Sequence, residues 1–231
     1  EFQKNPDNPN EVTLILKLDE QKSGSISGGI SYGSVVGLVG NVNIQDNNFR
    51  GKSQNLKASF EISSKDERTY ELSFSDPWLR GTNKLSFGTS LYKKEIQKTD
   101  NSYIEKTGLT VSGGRNLTEK IRIKLGTKFE KVKEFDSDGN LKKDGDFDIM
   151  ELYPSIYYDT RNNYLNATKG EYARLGLVNG LRFGGDYYTT IELELRKYHK
   201  FITEDNTLAY RLVTGMASNS TPESQQFYVG G

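Results

Sequence analysis

Between Ser25 and Ser220 apolar side chains return at every second position, segment after segment. Ile26, Ile30 and Tyr32 share one parity, as do Leu38, Val42 and Ile44. Leu56, Ala58, Phe60 and Ile62 follow, then Tyr70, Leu72 and Phe74. Later, "IRIKLGTKFE" sets Ile121, Ile123, Leu125 and Phe129 against Arg122, Lys124, Lys128 and Glu130. "IELELR" sets Ile191, Leu193 and Leu195 against Glu192, Glu194 and Arg196, and Leu208, Tyr210, Leu212 and Met216 line up in "LAYRLVTGM". Neighbouring side chains of a strand point to opposite faces, so a period of two means strands with one apolar and one polar face. About eleven such strands fit here at all-β spacing, and no helical period competes.

Only 34% of the 231 residues are hydrophobic, and mean hydropathy is -0.70, low for a large soluble core. Disorder is a poor explanation, because 14 Tyr, 11 Phe and strict alternation are not its signature. Few apolar residues, many aromatics and 23 Gly fit a sheet whose second face stays wet. With no Cys, disulfides and thiolate metal sites are excluded. Lys+Arg and Asp+Glu are equal at 31 each, so no nucleic-acid partner is expected. There is no apolar run long enough for a transmembrane helix. The polar start "EFQKNPDNPN" is not a signal peptide, so a mature or trimmed segment is expected.

Alternation alone fits two architectures. In a membrane barrel the apolar face meets lipid and the charged face lines a watery lumen; in a soluble sandwich the apolar face is buried and the charged face exposed. Long strands such as Ile121 to Lys133 favour the membrane, as do aromatics near strand ends: Tyr32, Trp78, Tyr92, Tyr103, Tyr153, Tyr157 and Tyr158. The connections add an asymmetry. "QDNNFRGKSQ", "DPWLRGT", "RNLTEK" and "TEDN" read as compact turns, whereas "KKEIQKTDNSY" and "EFDSDGNLKKDGDFD" read as longer charged loops on the other side.

Nothing points to catalysis. In "DSDGNLKKDGD", Asp136, Asp138 and Asn140 alternate like calcium ligands, but Leu141 and Phe147 stand where an EF-hand needs Gly and Glu, so a solvated loop is expected. His199 is the single histidine and reads as an interfacial or lumen-facing side chain rather than a metal ligand. No Gly-x-Ser-x-Gly elbow is present. No metal and no cofactor is expected.

Several motifs carry a family resemblance. "GSISGGISY" is a Gly-rich first strand, and Asn48, Phe49, Arg50, Gly51 and Lys52 match an Asn-Phe-x-Gly-x-Gly turn with Ser53 in place of the last Gly. "SFSDPWLRGT", with Asp76, Pro77, Trp78 and Gly81, is similar to the next turn. "YYDTRNNYLNATKGEYARL" is similar to an Asp-x-Arg segment ending in Gly, with Asp159, Arg161 and Gly170 in place and Asn166-Ala167 where a Pro is common. The closing "FYVGG", with Phe227, Tyr228, Gly230 and Gly231, looks like the run before a Val-Arg-Gly-Phe motif. Together these resemble the BamA-type family of outer-membrane assembly factors, the surface-antigen barrels.

The resemblance implies an antiparallel transmembrane β-barrel, all-β, of which about eleven of sixteen strands would be here. Residues 1–22, where "EVTLILKLDE" puts Val12, Leu14, Leu16 and Leu18 on one face, look like the end of a periplasmic POTRA domain. Residues 23–231 would be the N-terminal part of the barrel, stopping before the sixth external loop motif. A sheet left unclosed in lipid exposes unpaired backbone groups, so a fragment of a longer protein is expected.

The first strand, Gly24, Ser25, Ile26, Ser27, Gly28, Gly29, Ile30, Ser31 and Tyr32, must meet the last strand in a closed barrel. Gly28 and Gly29 either weaken that seam or let a bend or aromatic neighbours fit. The resemblance implies the first: a lateral gate whose free edge templates client strands. Partners implied are outer-membrane lipid, unfolded outer-membrane barrel clients, and accessory periplasmic lipoproteins or chaperones. Alternatives are a two-partner-type secretion translocator pore, a barrel anchor fused to another domain, and a soluble β-sandwich binding module.

Overall fold

The computed structural model describes residues 2–4, 12–14, 22–33, 37–82, 84–97, 102–201 and 203–227. Strands β1 (Phe2–Lys4) and β2 (Val12–Leu14) pair antiparallel as a separate ribbon; Leu16 and Leu18 lie outside the described residues. All other strands form one antiparallel sheet: β3 (Gly24–Gly33), β4 (Gly37–Phe49), β5 (Gln54–Ser63), β6 (Arg68–Asp76), β7 (Leu85–Gln97), β8 (Tyr103–Asn116), β9 (Ile121–Phe135), β10 (Leu141–Leu152), β11 (Ser155–Asp159), β12 (Gly170–Arg182), β13 (Tyr187–Phe201) and β14 (Thr203–Ala217). Spatial order follows chain order, with β3 and β14 at the two edges. No helix among the described residues is long and apolar enough to cross a membrane.

Strands β10 and β11 both lie between β9 and β12, as two halves of one strand broken at Tyr153-Pro154. Proline has no N–H for the ladder, yet the break stays bonded. Tyr153 N–H donates to Gly126 O at 2.8 Å and Leu177 N–H to Pro154 O at 3.0 Å. Among the described residues the sheet therefore has the eleven strand positions that the alternation implies.

The parity holds from strand to strand. Ile26, Ile30, Leu38, Ile44, Leu72, Leu91, Leu125, Phe129, Leu175, Ile191 and Leu212 are all exposed on one outer face. Outward residues on β9 stay largely apolar from Ile121 to Phe129. At ~3.3 Å per residue and a tilt of ~40°, that run is on the order of 20 Å tall, close to the apolar band of a lipid-facing barrel wall. The opposite, inner face holds the charged residues and a small buried cluster of Ile104, Val132, Phe147, Ile149 and Tyr188.

Two expectations need correction. The segments read as long charged loops are mostly strand: β7 runs to Gln97, β8 starts at Tyr103, β9 ends at Phe135 and β10 starts at Leu141. Here the outward positions turn polar while apolar side chains such as Phe147 face inward, so the outer apolar stripe fades while the backbone ladder continues. Outward side chains then pair across or along strands, Lys131 with Asp146 at 2.8 Å and Lys93 with Glu95 at 3.2 Å. Calling the Gly24 end of the sheet the lower end, the longest connections, 77–84 and 160–169, lie there, so the expected loop asymmetry is absent among the described residues.

The aromatic girdle is also thinner than expected. Tyr32, Trp78 and Tyr158 are exposed, and Tyr103 stacks on Phe135 at 4.3 Å. Tyr92, Tyr153 and Tyr157 turn inward instead. A glycine opens the space for two of them. The Tyr92 ring covers its cross-strand partner Gly108, and Tyr153 covers Gly126. Tyr188 covers its partner Gly180 in the same way, and a Cβ on any of these three glycines would collide with the ring.

Gly180→Ala in the intact protein should therefore cost about 1–3 kcal/mol through overpacking. Gly28→Ala, whose added methyl would meet only Asn41 O at 3.4 Å, should cost nothing of that order. Thermal unfolding followed by circular dichroism in detergent reads both; equal losses would contradict the packing described.

Candidate functional site

Three features of the barrel wall bear on function: the turns of the lower end, the charged inner wall, and strand β3. The turns draw together most of the motif residues. In the first, Asn48 Oδ1 accepts the Ser53 N–H at 2.8 Å, and Arg50, Gly51 and Ser53 all have positive φ. Ser53, with φ 54°, thus sits in the left-handed region that favours glycine, which explains why a glycine commonly stands at that place in the motif. In the second, Asp76 Oδ1 accepts the Trp78 N–H at 2.9 Å, and Gln54 donates to Asp76 Oδ2 at 2.9 Å, tying one turn to the other.

The third turn is built on an ion pair. Arg161 forks onto Asp159, Nε to Oδ1 at 2.9 Å and Nη2 to Oδ2 at 2.7 Å, and stacks against the rings of Tyr164 and Tyr172. The Asp159 carboxylate pushes the Arg161 guanidinium above its ordinary range. Gly170 (φ +103°) brings the returning chain so close that a Cβ would collide with the Thr160 backbone. Where a proline is common, Asn162 Oδ1 closes the turn by accepting the N–H groups of Thr168 and Lys169, both at 3.0 Å. These residues shape turns; none is poised for chemistry.

At the upper end, Asp136 does not act like a calcium ligand in its hairpin but accepts the N–H groups of Asp138 at 3.0 Å and Asn140 at 2.8 Å. Those bonds hold its pKa below the usual carboxylate value. Its contribution to the turn is present above the ordinary carboxylate range and is lost as pH falls through the lowered pKa. His199 stacks on Tyr210, ring centroids 5.6 Å apart, near the lower end of β13.

The inner wall is a network the sequence did not reveal. Lys128 Nζ lies 2.9 Å from Glu151 and 3.6 Å from Glu130, whose side chains are only 8% and 3% exposed. Tyr188 OH donates to Glu151 at 2.5 Å, and Tyr92 OH donates to Glu130. Beyond β14 the chain folds back onto this network. Gln225 donates to Glu130 at 2.6 Å and accepts from Lys128 at 3.1 Å, while Lys106 Nζ donates to Ser224 O at 2.5 Å. The Phe227 ring lies against Gly215. So the segment expected to start an external loop covers the inner wall as far as Phe227, whereas Tyr228, Gly230 and Gly231 lie outside the described residues. Nearer the lower end, Arg174 pairs with Glu192, and Arg196 and Arg211 share Glu194 at 2.7 Å each.

Strand β3 pairs along its whole length with β4, from Gly24↔Asp46 to Gly33↔Gly37, and its other side is an edge. Asn47 N–H donates to Ser23 O. The alternation of an antiparallel ladder then turns the N–H groups of Ser25, Ser27, Gly29 and Ser31 toward β4, and those of Ile26, Gly28 and Ile30 toward the free edge. Neither Gly28 nor Gly29 has positive φ. No aromatic ring lies within 4 Å of a Cβ built at either, unlike Gly108, Gly126 and Gly180.

A continuous antiparallel wall, apolar outside and charged inside, agrees with the family comparison. The model of the Omp85 superfamily domain matches residues 48–231. The chain belongs to the Omp85 superfamily. Outer envelope protein 80, chloroplastic, of Oryza sativa subsp. japonica is 35% identical over 86 residues, covering 35% of this chain and 13% of that protein. Its Arabidopsis thaliana counterpart is 32% identical over 80 residues, covering 32% and 11%. The chain thus spans only a small part of these relatives.

Among solved structures, BamA from Haemophilus ducreyi lacking POTRA domains 1–3 matches with a TM-score of 0.75 at 18% identity, over 100% of this chain and 48% of that one. CdiB from Acinetobacter baumannii matches with 0.62 at 14% identity, over 89% and 40%. These likenesses establish the barrel fold. As an Omp85 domain the chain is an outer-membrane β-barrel wall, of a family that inserts or translocates proteins and is generally non-enzymatic.

Lys128→Met would leave Glu130 and Glu151 buried without their shared cation. In the intact protein it should cost about 3–5 kcal/mol. Lys131→Met removes an outer-face pair whose lysine is 50% exposed, and should cost about 1 kcal/mol or less. Urea unfolding in detergent distinguishes the two; similar costs would contradict a buried role for Lys128.

Proposed function

We propose that the intact protein inserts and folds other outer-membrane barrels, with the edge of β3 as the template for incoming strands. The observation that carries this reading is the state of β3. Its N–H groups at Ile26, Gly28 and Ile30 face away from β4, on the side where a closing strand pairs, and its two central glycines serve neither a turn nor a ring. Glycine inside a strand forgoes packing and costs conformational entropy, so a seam built on it separates more readily. An exposed ladder edge in turn captures an extended chain through main-chain hydrogen bonds, whatever its side chains. Release follows when the client pairs its own first and last strands, because hydrocarbon favours complete backbone pairing.

In this reading residues 1–22 are the end of a POTRA domain, which the β1–β2 ribbon, separate from the barrel sheet, supports. Barrel clients and membrane lipid are the partners, with accessory periplasmic proteins delivering the clients.

Gly28→Pro tests the edge directly. It removes an N–H that faces away from β4, so the β3–β4 ladder keeps its bonds. Intact protein in liposomes is mixed with a urea-denatured barrel client, and the protease-resistant fraction is followed in time. Wild type should accelerate folding over empty liposomes. The variant should lose at least fivefold of that acceleration, about 1 kcal/mol for one ladder bond. Undiminished acceleration in the variant would overturn templating at β3; no acceleration by correctly inserted wild type would favour a secretion pore or an anchor.

A further inference from the structure

At the lower end of the inner wall lies an open cavity of about 810 Å³, bounded by the turn between β8 and β9, the 160–169 turn and the inner faces of β9, β11, β12 and β13. Its charge differs from that of the wall above. Higher up, Lys128 meets Glu130 and Glu151. Around the mouth, Lys84, Lys120 and Lys124 have no carboxylate within ion-pair distance among the described residues, and Arg122 donates to the neutral Ser86 Oγ at 2.6 Å. Of the two lining carboxylates, Asp159 is held by Arg161, which leaves Glu119 alone against these four cations. The chain as a whole is neutral, with 31 charges of each sign, so the excess at this mouth is a matter of placement.

We propose that the mouth docks an acidic stretch of extended polypeptide; this rests on the insertion reading, in which chains approach from this end. The cations come from three stretches of chain. Lys84 comes from the connection before β7, Lys120 from the turn before β9, and Arg122 and Lys124 from successive inward positions of β9. Three of the four are lysines, mobile point charges rather than the planar forks that clasp a single phosphate. A row of spaced cations along an open wall suits a row of carboxylates. The exposed ring of Tyr164 offers a flat surface to a main chain. Such a patch raises the encounter rate and loses strength with salt, because the screening length is ~10 Å at 0.1 M.

The test uses the intact protein in detergent and fluorescein-labelled hexaglutamate, read by anisotropy, with hexaglutamine as the neutral probe. Hexaglutamate should bind and hexaglutamine should not. The triple variant Lys84→Gln, Lys120→Gln, Lys124→Gln should weaken binding roughly eightfold, a factor of about two for each exposed charge contact. Lys142→Gln with Lys143→Gln, in the upper hairpin, should leave it unchanged. Equal binding by the triple variant would overturn the site. Displacement by tripolyphosphate at lower concentration than by unlabelled hexaglutamate would overturn the peptide and identify a phosphate ligand. Binding is read without any client folding, so its failure is distinct from failure of the insertion reading.

Discussion

Backbone hydrogen bonding in a medium without water is the constraint on which everything else in this wall depends. In hydrocarbon an unpaired N–H or C=O costs several kcal/mol, so strands must hand their bonds from neighbour to neighbour until the sheet closes. Here the ladder runs unbroken from β3 to β14, and even the Tyr153-Pro154 interruption keeps its bonds to β9 and β12. The two edge strands of the described sheet, β3 and β14, pair on one side only. Strand β3 is the weaker by composition, with four glycines counting both ends, Gly24, Gly28, Gly29 and Gly33. The same force that demands closure makes a poorly packed seam a place where another chain can substitute.

The inner wall follows from the same inversion of a soluble protein. With apolar side chains directed to lipid, the enclosed face must satisfy charges among themselves. Burial of Lys128, Glu130 and Glu151 is tolerable because each has a partner of opposite sign, and Gln225 and two tyrosine hydroxyls supply further bonds. Glycine acts here as a socket. Gly108, Gly126 and Gly180 let Tyr92, Tyr153 and Tyr188 lie flat on the wall, and the Tyr92 and Tyr188 hydroxyls reach carboxylates two strands or more away in sequence. Glycines of the wall and glycines of β3 thus share a residue type and little else.

Much of this was legible in the sequence. A period of two is a local property, so the strand positions and the lipid-facing parity of residues such as Ile123 and Leu125 could be read directly. The turns were legible through resemblance, and their chemistry explains the motifs: a left-handed position at Ser53, a carboxylate cap at Asp76, a close approach at Gly170. Charged stretches around 93–103 and 134–148 misled because strands that leave the apolar band lose hydrophobic contrast. Tyr92 and Tyr153 misled because an aromatic near a strand end fits a lipid interface or a glycine socket, and only cross-strand register separates them. The return of 221–227 onto the inner wall had no local signal, since its anchors, Lys106, Lys128 and Glu130, lie about a hundred residues earlier. Parity on β9 did place Lys128 and Glu130 on the wet face, without showing that they are covered.

Amide hydrogen exchange on the intact protein in lipid bilayers, without client, addresses the weak seam most directly. Peptides covering Gly24–Gly33 should exchange markedly faster than those covering Leu85–Gln97 and Ile121–Phe135, which hold one glycine each where β3 holds four. Protection of β3 equal to that of β7 and β9 would mean a seam as firm as the rest of the wall, and would contradict the role given to its glycines.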